Sequence, residues 1–425
     1  MSTSPFDAID FFRAGSLYQN PYPYYEYLRE HGPVWREPHH GVVMVTGYPE
    51  AVEVYHDTAT FSNCNAVAGP FAKWPVPLEG DDLGPIIDRY RDALPFSDQL
   101  PTFDPPKHTA HRALLGRLIT PKRLKENEEF MWRLADRQID EFLGRRECEF
   151  IRDYASPFTL LVIADLLGVP EDQHGQFRKE LQGDVHERAI ALDSAVTHKP
   201  LEFLYDRFTK FIEDRRRQPR SDVMTGLATA TFPDGTLPEV RDVMLIASNL
   251  FAAGQETTAR LLGVMFRLIG ERPELQRQLR DDRDLIPNFA EECLRLETPL
   301  QSTFRLTRRA TKIGGIPFPA GTTVMLLPAA ANRDPRVFES PDEFRLGRPN
   351  WRQHLAFGSG VHSCAGAPLA RAEARVSAMR LLDRMADIRI SEAEHGPAGA
   401  RRYDYPKTYM LRGIERLHLE FTPIS

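Results

Sequence analysis

One stretch of the chain combines residue types that can bind a metal. It runs from Phe357 to Gly366, reads Phe-Gly-Ser-Gly-Val-His-Ser-Cys-Ala-Gly, and contains a single cysteine, Cys364. A thiolate is a metal ligand, and nearby backbone amides can donate hydrogen bonds to its sulfur. The glycines allow the backbone to turn and to approach a flat ligand closely. On this segment alone, the alternative is a structural cysteine in a glycine-rich turn.

A second unusual segment, Ala253-Gly254-Gln255-Glu256-Thr257-Thr258, interrupts a long apolar stretch. We expect that stretch to form a buried helix roughly 50 Å long, starting at a capping box of Thr236 and Glu239. A mid-helix glycine costs about 1 kcal/mol, and a buried carboxylate costs more unless it is paired. Thr257 can donate back to the carbonyl four residues earlier and open the helix locally, which would leave a groove for dioxygen or water. The alternative is a tolerated kink with a surface glutamate.

Together these segments resemble the cytochrome P-450 family. Residues 357–366 match its haem-ligand loop, Phe-Gly-x-Gly-x-His/Arg-x-Cys-x-Gly, and residues 253–257 match its acid–alcohol motif, Ala-Gly-x-Asp/Glu-Thr. The resemblance implies that Cys364 binds the iron of haem b. It assigns the cofactor loop to Phe357, Gly358, His362, Cys364 and Gly366.

The resemblance also assigns roles on the central helix. Thr257 would order water beside bound oxygen, and Glu256 would relay protons to it. Ala253 and Gly254 would leave room for the diatomic molecule.

A third motif follows Asp104-Pro105-Pro106, which predicts the start of a helix. His108 and Arg112 are four residues apart and share a face of that helix. Taken alone, such a pair is often a solvated face. The resemblance implies that His108, Arg112, Arg305 and His362 bind the two haem propionates.

A fourth motif, Glu292 with Arg295, resembles the structural Glu-x-x-Arg pair of the family, and Arg348 is a candidate third member. By itself the spacing fits an ordinary surface ion pair. A basic strip of Arg117, Lys122, Arg123 and Lys125 could be a solvated face or a docking site for an acidic electron donor. Arg371 and Arg375 share a helix face and are candidates for the same contact.

Residues 62–101 are broken by many prolines and glycines, so we expect a long loop there. The resemblance implies that this loop caps the substrate pocket, and its aromatic side chains favour an apolar small molecule. A surface loop with incidental aromatic residues is the alternative. Residues 171–217 suggest two helices with a connection at 184–200, which the resemblance identifies as a lid.

Composition limits the class of protein. The chain has 425 residues, 42% hydrophobic and 27% charged, with a net charge of -6, so nothing favours a nucleic-acid partner. No apolar run approaches the roughly 20 residues of a membrane span, and the N-terminus has no secretory pattern. Four scattered cysteines fit a reducing compartment, so we expect a cytoplasmic protein.

The sequence therefore predicts one domain over residues 1–425, mainly α-helical with a smaller β-rich lobe, an α+β arrangement with a long central helix over a haem. We expect a monomeric monooxygenase that hydroxylates an apolar small molecule with O2. Electrons would come from NAD(P)H through a ferredoxin and a ferredoxin reductase on separate chains, because no reductase-like segment occurs here. Alternatives are a peroxygenase, a haem sensor or carrier, and a helical protein without haem. The pair of Glu256 and Thr257 argues against the first two.

Overall fold

A 32-residue helix, Val240–Glu271, runs through the centre of the molecule, about 48 Å long at the usual rise. We call it the central helix. Most of its residues are buried, which the apolar sequence predicted. It ends just after Gly270, where an added Cβ would lie 2.8 Å from Cδ1 of Ile390, and Pro273 opens the next helix. The computed structural model describes residues 4–175, 178, 202–220 and 222–424; the connection expected at 184–200 lies outside them.

The predicted start of the central helix is wrong. The Thr236 hydroxyl donates to Asp234 Oδ1 at 2.7 Å instead of capping the helix, and Glu239 is the N-cap residue without a side-chain capping bond. The Gly235 amide donates to the Phe232 carbonyl, so these residues form a turn. Local side-chain hydrogen bonds of this kind compete with capping.

Further α-helices make up much of the described structure. Their bounds are Gly15–Gln19, Tyr22–His31, Tyr48–His56, Gly84–Tyr90, Lys107–Leu115, Pro121–Phe142, Ser156–Leu166, Glu202–Arg217, Val223–Ala228, Pro273–Asp281, Leu285–Leu296, Pro328–Ala331, Ala367–Arg384 and Glu392–His395. A π-helical turn, Ile151–Ala155, precedes Ser156–Leu166. The central helix packs on Ser156–Leu166, Glu202–Arg217 and Ala367–Arg384, within the largest apolar core.

Three small sheets make up the β-rich part of the described residues. Their strands are β1 Val34–Arg36, β2 Val43–Val45, β3 Phe61–Ser62, β4 Glu147–Glu149, β5 Thr303–Thr307, β6 Thr311–Ile313, β7 Ile316–Phe318, β8 Thr323–Leu326, β9 Met385–Ile390 and β10 His418–Pro423. The largest sheet has the order β1-β2-β8-β5-β3, the second β4-β10-β9, and the third pairs β6 with β7. Short strands beside many helices confirm the predicted α+β class. Among the described residues, no helix has the length and apolar character needed to cross a membrane.

Residues 62–101 are more ordered than the sequence suggested. They contain the helix Gly84–Tyr90 and the 3-10 turns Arg91–Ala93 and Leu100–Thr102. Ile87 and Leu94 are buried in a small apolar cluster. Burial of these side chains stabilises a helix that the many prolines obscured.

Candidate active site

The cysteine loop, residues 357–366, closes on itself through its backbone. The Cys364 amide donates a 2.8 Å hydrogen bond to the Phe357 carbonyl. Gly358 and Gly360 have φ angles of +65° and +69°, a region that other residues rarely adopt. Gly360 also approaches Tyr55 so closely that an added Cβ would lie 2.7 Å from its carbonyl oxygen. The loop therefore needs glycine at these positions to place Cys364.

The Cys364 sulfur lies just before the helix Ala367–Arg384. Its side chain is exposed, yet the protein packed around the loop displaces water and raises the pKa of the thiol. Hydrogen bonds from the Gly366 and Ala367 amides and the charge of Arg112 act in the opposite direction. Donors aimed at a sulfur stabilise it as a thiolate and suit it to bind a metal.

Four basic side chains meet beside this loop; we call them the basic cluster. They are His108 and Arg112 on the helix Lys107–Leu115, Arg305 on β5, and His362 in the loop itself. The rings of His108 and His362 are 3.9 Å apart between centroids. Arg112 Nη2 donates to the Ser363 carbonyl at 2.7 Å. The structure thus brings together the four residues predicted to bind propionates.

The basic cluster has no carboxylate of its own among the described residues. Arg305 Nη1 donates to the Phe304 carbonyl at 2.6 Å, and its guanidinium stacks over Tyr55. The nearby Asp104 pairs with Arg308 at 2.7 Å instead. Burial and neighbouring positive charge lower the pKa of His108 to about 4.

This arrangement fits an anionic ligand. His108 Nδ1 and His362 Nε2 are buried without a hydrogen-bond partner in the described structure, and burial also lowers the pKa of Arg305. Buried donors and cations without partners are costly. Two carboxylates at this place would satisfy them, and a flat ligand reaching Cys364 would bring them there. The residues present therefore fit haem.

The acid–alcohol segment lies in the continuous central helix. Thr257 Oγ1 donates to the Ala253 carbonyl at 2.8 Å, the bond that the sequence predicted. The predicted local opening of the helix is wrong, because the helix is continuous through this segment. Ala253 is exposed although it lies in a helix that is otherwise mostly buried.

Gly254 serves helix packing. An added Cβ there would lie 3.2 Å from Cδ1 of Ile163, on the helix Ser156–Leu166. The glycine therefore lets the two helices approach closely. Its predicted role, leaving room for a diatomic molecule, stays a prediction.

Glu256 has a partner that the sequence reading missed. Arg260, four residues later on the central helix, forms an ion pair with its carboxylate. Arg260 is buried, whereas the Glu256 side chain keeps 20% of its exposure. The spacing of four residues between Glu256 and Arg260 on a predicted helix could have indicated this ion pair.

The Glu292–Arg295 pair forms the predicted scaffold with Arg348. Two bonds of 2.8 Å join the Arg295 guanidinium to the Glu292 carboxylate, and Arg348 Nε reaches both carboxylate oxygens at 3.2 Å. Arg295 also donates to the carbonyls of Asn332 and Pro341. We call these three charged residues the scaffold network; all three are buried.

A second buried carboxylate, Glu291, is linked to the cysteine loop through its partners. Glu291 accepts two bonds from Arg371, at 2.6 and 2.9 Å, and pairs with His354 at 2.9 Å. The Arg371 guanidinium lies 4.7 Å from the centre of the Phe357 ring. Arg371 therefore directs its guanidinium towards buried partners. Arg375 pairs with Glu128 at 2.6 Å. No spacing in the sequence indicated these contacts.

Comparison with known proteins identifies the family of the chain. A family model described as Cytochrome P450 matches residues 194–386. Cytochrome P450 144 of Mycobacterium tuberculosis is 33% identical over 422 residues, 97% of this chain and 91% of that protein. Substrate-free cytochrome P450 CYP150A6 of Mycobacterium marinum is 56% identical with a TM-score of 0.93, over 99% of this chain and 100% of that one. CYP109E1 of Bacillus megaterium, solved in complex with testosterone, is 26% identical with a TM-score of 0.77, over 94% and 99%. The chain therefore belongs to the cytochrome P450 family of haem monooxygenases.

Proposed function

We propose that this protein hydroxylates an apolar small molecule, using a haem held by Cys364 and electrons from a separate ferredoxin-type protein. The observation that carries the proposal is the cysteine loop beside a basic cluster without carboxylates of its own. Cys364 would bind the iron, and the cluster residues His108, Arg112, Arg305 and His362 would bind the propionates. The bound haem supplies the reductive activation of O2 and the transfer of one oxygen atom.

The central helix supplies protons. Hydroxylation of a C–H bond consumes O2, two electrons and two protons, and releases one water molecule with the alcohol. Glu256 is partly exposed and so can exchange protons with solvent. The Thr257 hydroxyl, on the next residue of the helix, can order water. These two residues are therefore the proposed proton route.

The substrate is proposed to be an apolar, cyclic small molecule, because aromatic side chains gather beside residues 62–101. Phe71 is 49% exposed and its ring contacts Phe12. Gly69 lies close to the Tyr409 hydroxyl, with 3.2 Å to an added Cβ. The testosterone complex of CYP109E1 makes a cyclic apolar compound a reasonable first probe.

The proposed electron donor would dock beside the helix that follows Cys364. A groove of about 390 Å³ there has four basic residues in its lining, Lys125, Arg352, Arg371 and Arg375, beside Trp351, two carboxylates and several apolar side chains. A basic rim favours an acidic partner and speeds its association. We propose an acidic ferredoxin reduced by NAD(P)H through its reductase, acting on one monomeric domain. The four free cysteines are consistent with a cytoplasmic location.

The test is the absorption spectrum of the reduced, carbon-monoxide-bound protein beside that of Cys364→Ala. A red-shifted Soret band that the variant lacks is the expected result. A Soret band typical of histidine ligation, or no haem at all, would contradict the assignment of Cys364. Displacement of iron-bound water by testosterone and other apolar compounds would then define the substrate class.

Two alternatives predict different stoichiometry. A peroxygenase turns over substrate with hydrogen peroxide and needs no donor, while a sensor or carrier consumes no reductant. The presence of Glu256 and Thr257 favours the donor-dependent route, because the peroxide route does not require their protons. Product formed in proportion to NAD(P)H consumed, and only with ferredoxin present, separates the three.

A further inference from the structure

Arg260 is a buried arginine whose position needs an explanation. It is 6% exposed, and Glu256 is its only ion-pair partner among the described residues. Its Nε atom is buried without a hydrogen-bond partner there. A buried guanidinium that is only partly satisfied is costly. Local violations of this kind are expected at functional sites.

The stem of Arg260 is fixed from the opposite side by Gly413. An added Cβ at Gly413 would lie 2.5 Å from Cγ of Arg260, 2.6 Å from Cβ and 3.0 Å from Cδ. Any side chain at position 413 would therefore displace the arginine. Arg260 Nη1 also donates a long, 3.5 Å hydrogen bond to the Gly413 carbonyl.

The turn that contains Gly413 is itself held in place. The Arg412 amide donates to the Pro299 carbonyl at 2.8 Å, and the Gln301 amide donates to the Met410 carbonyl at 2.7 Å. An isolated bridge pairs Leu411 with Leu300. Residues 410–413 are thus tied to the segment that leads into β5, the strand that carries a member of the basic cluster.

We propose that Arg260 is a positioning residue for Glu256, and that the turn at Gly413 holds Arg260 in place to do so. The ion pair fixes a carboxylate that would otherwise sample several rotamers, next to the hydroxyl of Thr257. A fixed acid transfers protons faster than a mobile one. The inference rests on the proposed function, in which Glu256 delivers the protons of the reaction.

The consequence concerns the fate of O2. Two electrons and two protons reduce O2 to hydrogen peroxide, whereas four of each reduce it to two water molecules. Slow proton delivery favours loss of peroxide. Arg260→Gln and Gly413→Ala, which disturb the pair from its two sides, should therefore release more peroxide per NADPH.

The experiment uses the haem-loaded protein with a plant-type ferredoxin, its reductase and NADPH, without added substrate. We expect each variant to lower the share of NADPH electrons that ends in water about threefold or more, as for a misplaced catalytic group, and so to raise peroxide released per NADPH towards its limit of one. Arg260→Lys keeps a cation within reach of Glu256 and should restore the wild-type ratio. Oxidation of a chromogenic dye driven by added peroxide should be equal in all variants, because peroxide brings its own protons.

A matched control lies on the same helix. Arg267 is largely buried and pairs with Glu271, also four residues away. Arg267→Gln should lower the melting temperature and leave the peroxide ratio unchanged, as a structural ion pair would.

Crystal structures give a readout independent of turnover. The Glu256 carboxylate should move in both Arg260→Gln and Gly413→Ala. An unmoved carboxylate in both, or a wild-type peroxide ratio in Arg260→Gln, would overturn the inference. Failure of the proposed function has a different signature, because the wild-type protein itself would then oxidise no NADPH with ferredoxin.

Discussion

Two groups of residues that each contain a buried arginine flank the candidate site, and they differ in whether the protein itself supplies a carboxylate as countercharge. In the scaffold network, Arg295 and Arg348 share the carboxylate of Glu292 and direct their remaining donors to backbone carbonyls. In the basic cluster, Arg305 and Arg112 have only carbonyl, hydroxyl and ring partners among the described residues. The protein supplies the carboxylate that pairs with the arginines of the scaffold network, and within the part of the chain that the structure describes it supplies none for the arginines of the basic cluster.

The difference separates structure from function. A buried ion pair with saturated hydrogen bonds stabilises one arrangement of the backbone, and removing one member leaves an uncompensated charge. Buried cations without carboxylates destabilise the protein alone and gain from an anionic ligand. The same residue type, arginine, is thus scaffold at position 295 and a candidate ligand-binding residue at position 305.

The largest effect should come from breaking the scaffold network. Glu292→Gln would leave the Arg295 guanidinium buried without a countercharge and should lower the free energy of unfolding by about 3–5 kcal/mol, measured by urea denaturation. Glu339→Gln is the matched control, because its ion pair with Arg345 is largely exposed and should contribute less than about 1 kcal/mol. Equal losses in the two variants would contradict the scaffold role.

Acid should lower the free energy of unfolding through Glu291, the carboxylate next to Glu292 on the helix Leu285–Leu296. Hydrogen bonds from Arg371 and His354 outweigh burial and lower the pKa of Glu291 from 4.5 to about 2. The carboxylate therefore contributes stability above pH 4.5 that is lost as the pH falls from 4.5 towards 2, about 3 kcal/mol in all. Glu291→Gln lacks this titration.

Unfolding free energies measured between pH 6 and pH 3 test this. The difference between wild type and Glu291→Gln should be largest at pH 6 and shrink as the pH falls below 4.5. A difference that stays constant over this range would mean that the carboxylate does not ionise as its partners suggest.

The basic cluster should behave in the opposite way. Arg305→Leu removes an unpaired buried cation and should speed haem transfer to apomyoglobin about 10- to 100-fold, as for other residues that support a metal cofactor. It should not lower the stability of the protein without haem. Arg308, three residues along, is the matched control because it pairs with Asp104.

Arg308→Leu should destabilise the fold and leave haem release close to the wild-type rate. If Arg305→Leu loses stability but holds haem normally, then Arg305 belongs to the scaffold and the contrast between the two groups fails.

The parts of the candidate site that lie within one short segment of sequence were predictable, and the parts that depend on distant residues were less so. Cys364 and its glycines lie within ten residues, and Thr257 bonds to Ala253 one turn away, so both motifs could be recognised locally, and the family resemblance assigned their roles. Arg348 joins Glu292 across 56 residues, and only the family resemblance indicated it. The contact of His354 with Glu291 depends on tertiary packing alone, which no local pattern encodes.

The fold was predictable in a similar way. The apolar pattern predicted the central helix, because burial on nearly every face leaves a continuous signal. Its start was misread because Thr236 bonds to Asp234 in a preceding turn. The helix Gly84–Tyr90 was missed because flanking prolines and glycines masked it, and buried side chains such as Ile87 stabilise it through tertiary contacts.

The smallest expected effect lies on the surface. Arg375 pairs with Glu128 while both side chains remain about a third exposed, so Arg375→Gln should change the free energy of unfolding by less than about 1 kcal/mol. Its position on the groove proposed for ferredoxin predicts a different consequence. The ferredoxin concentration for half-maximal reduction should rise a few-fold at low salt, and the difference should fade as salt screens the charges. Arg389→Gln is the control, because Arg389 has an equivalent exposed pair with Glu420 on the β9–β10 sheet. Equal behaviour of the two variants would place the donor on another surface and leave Arg375 as an ordinary solvated charge.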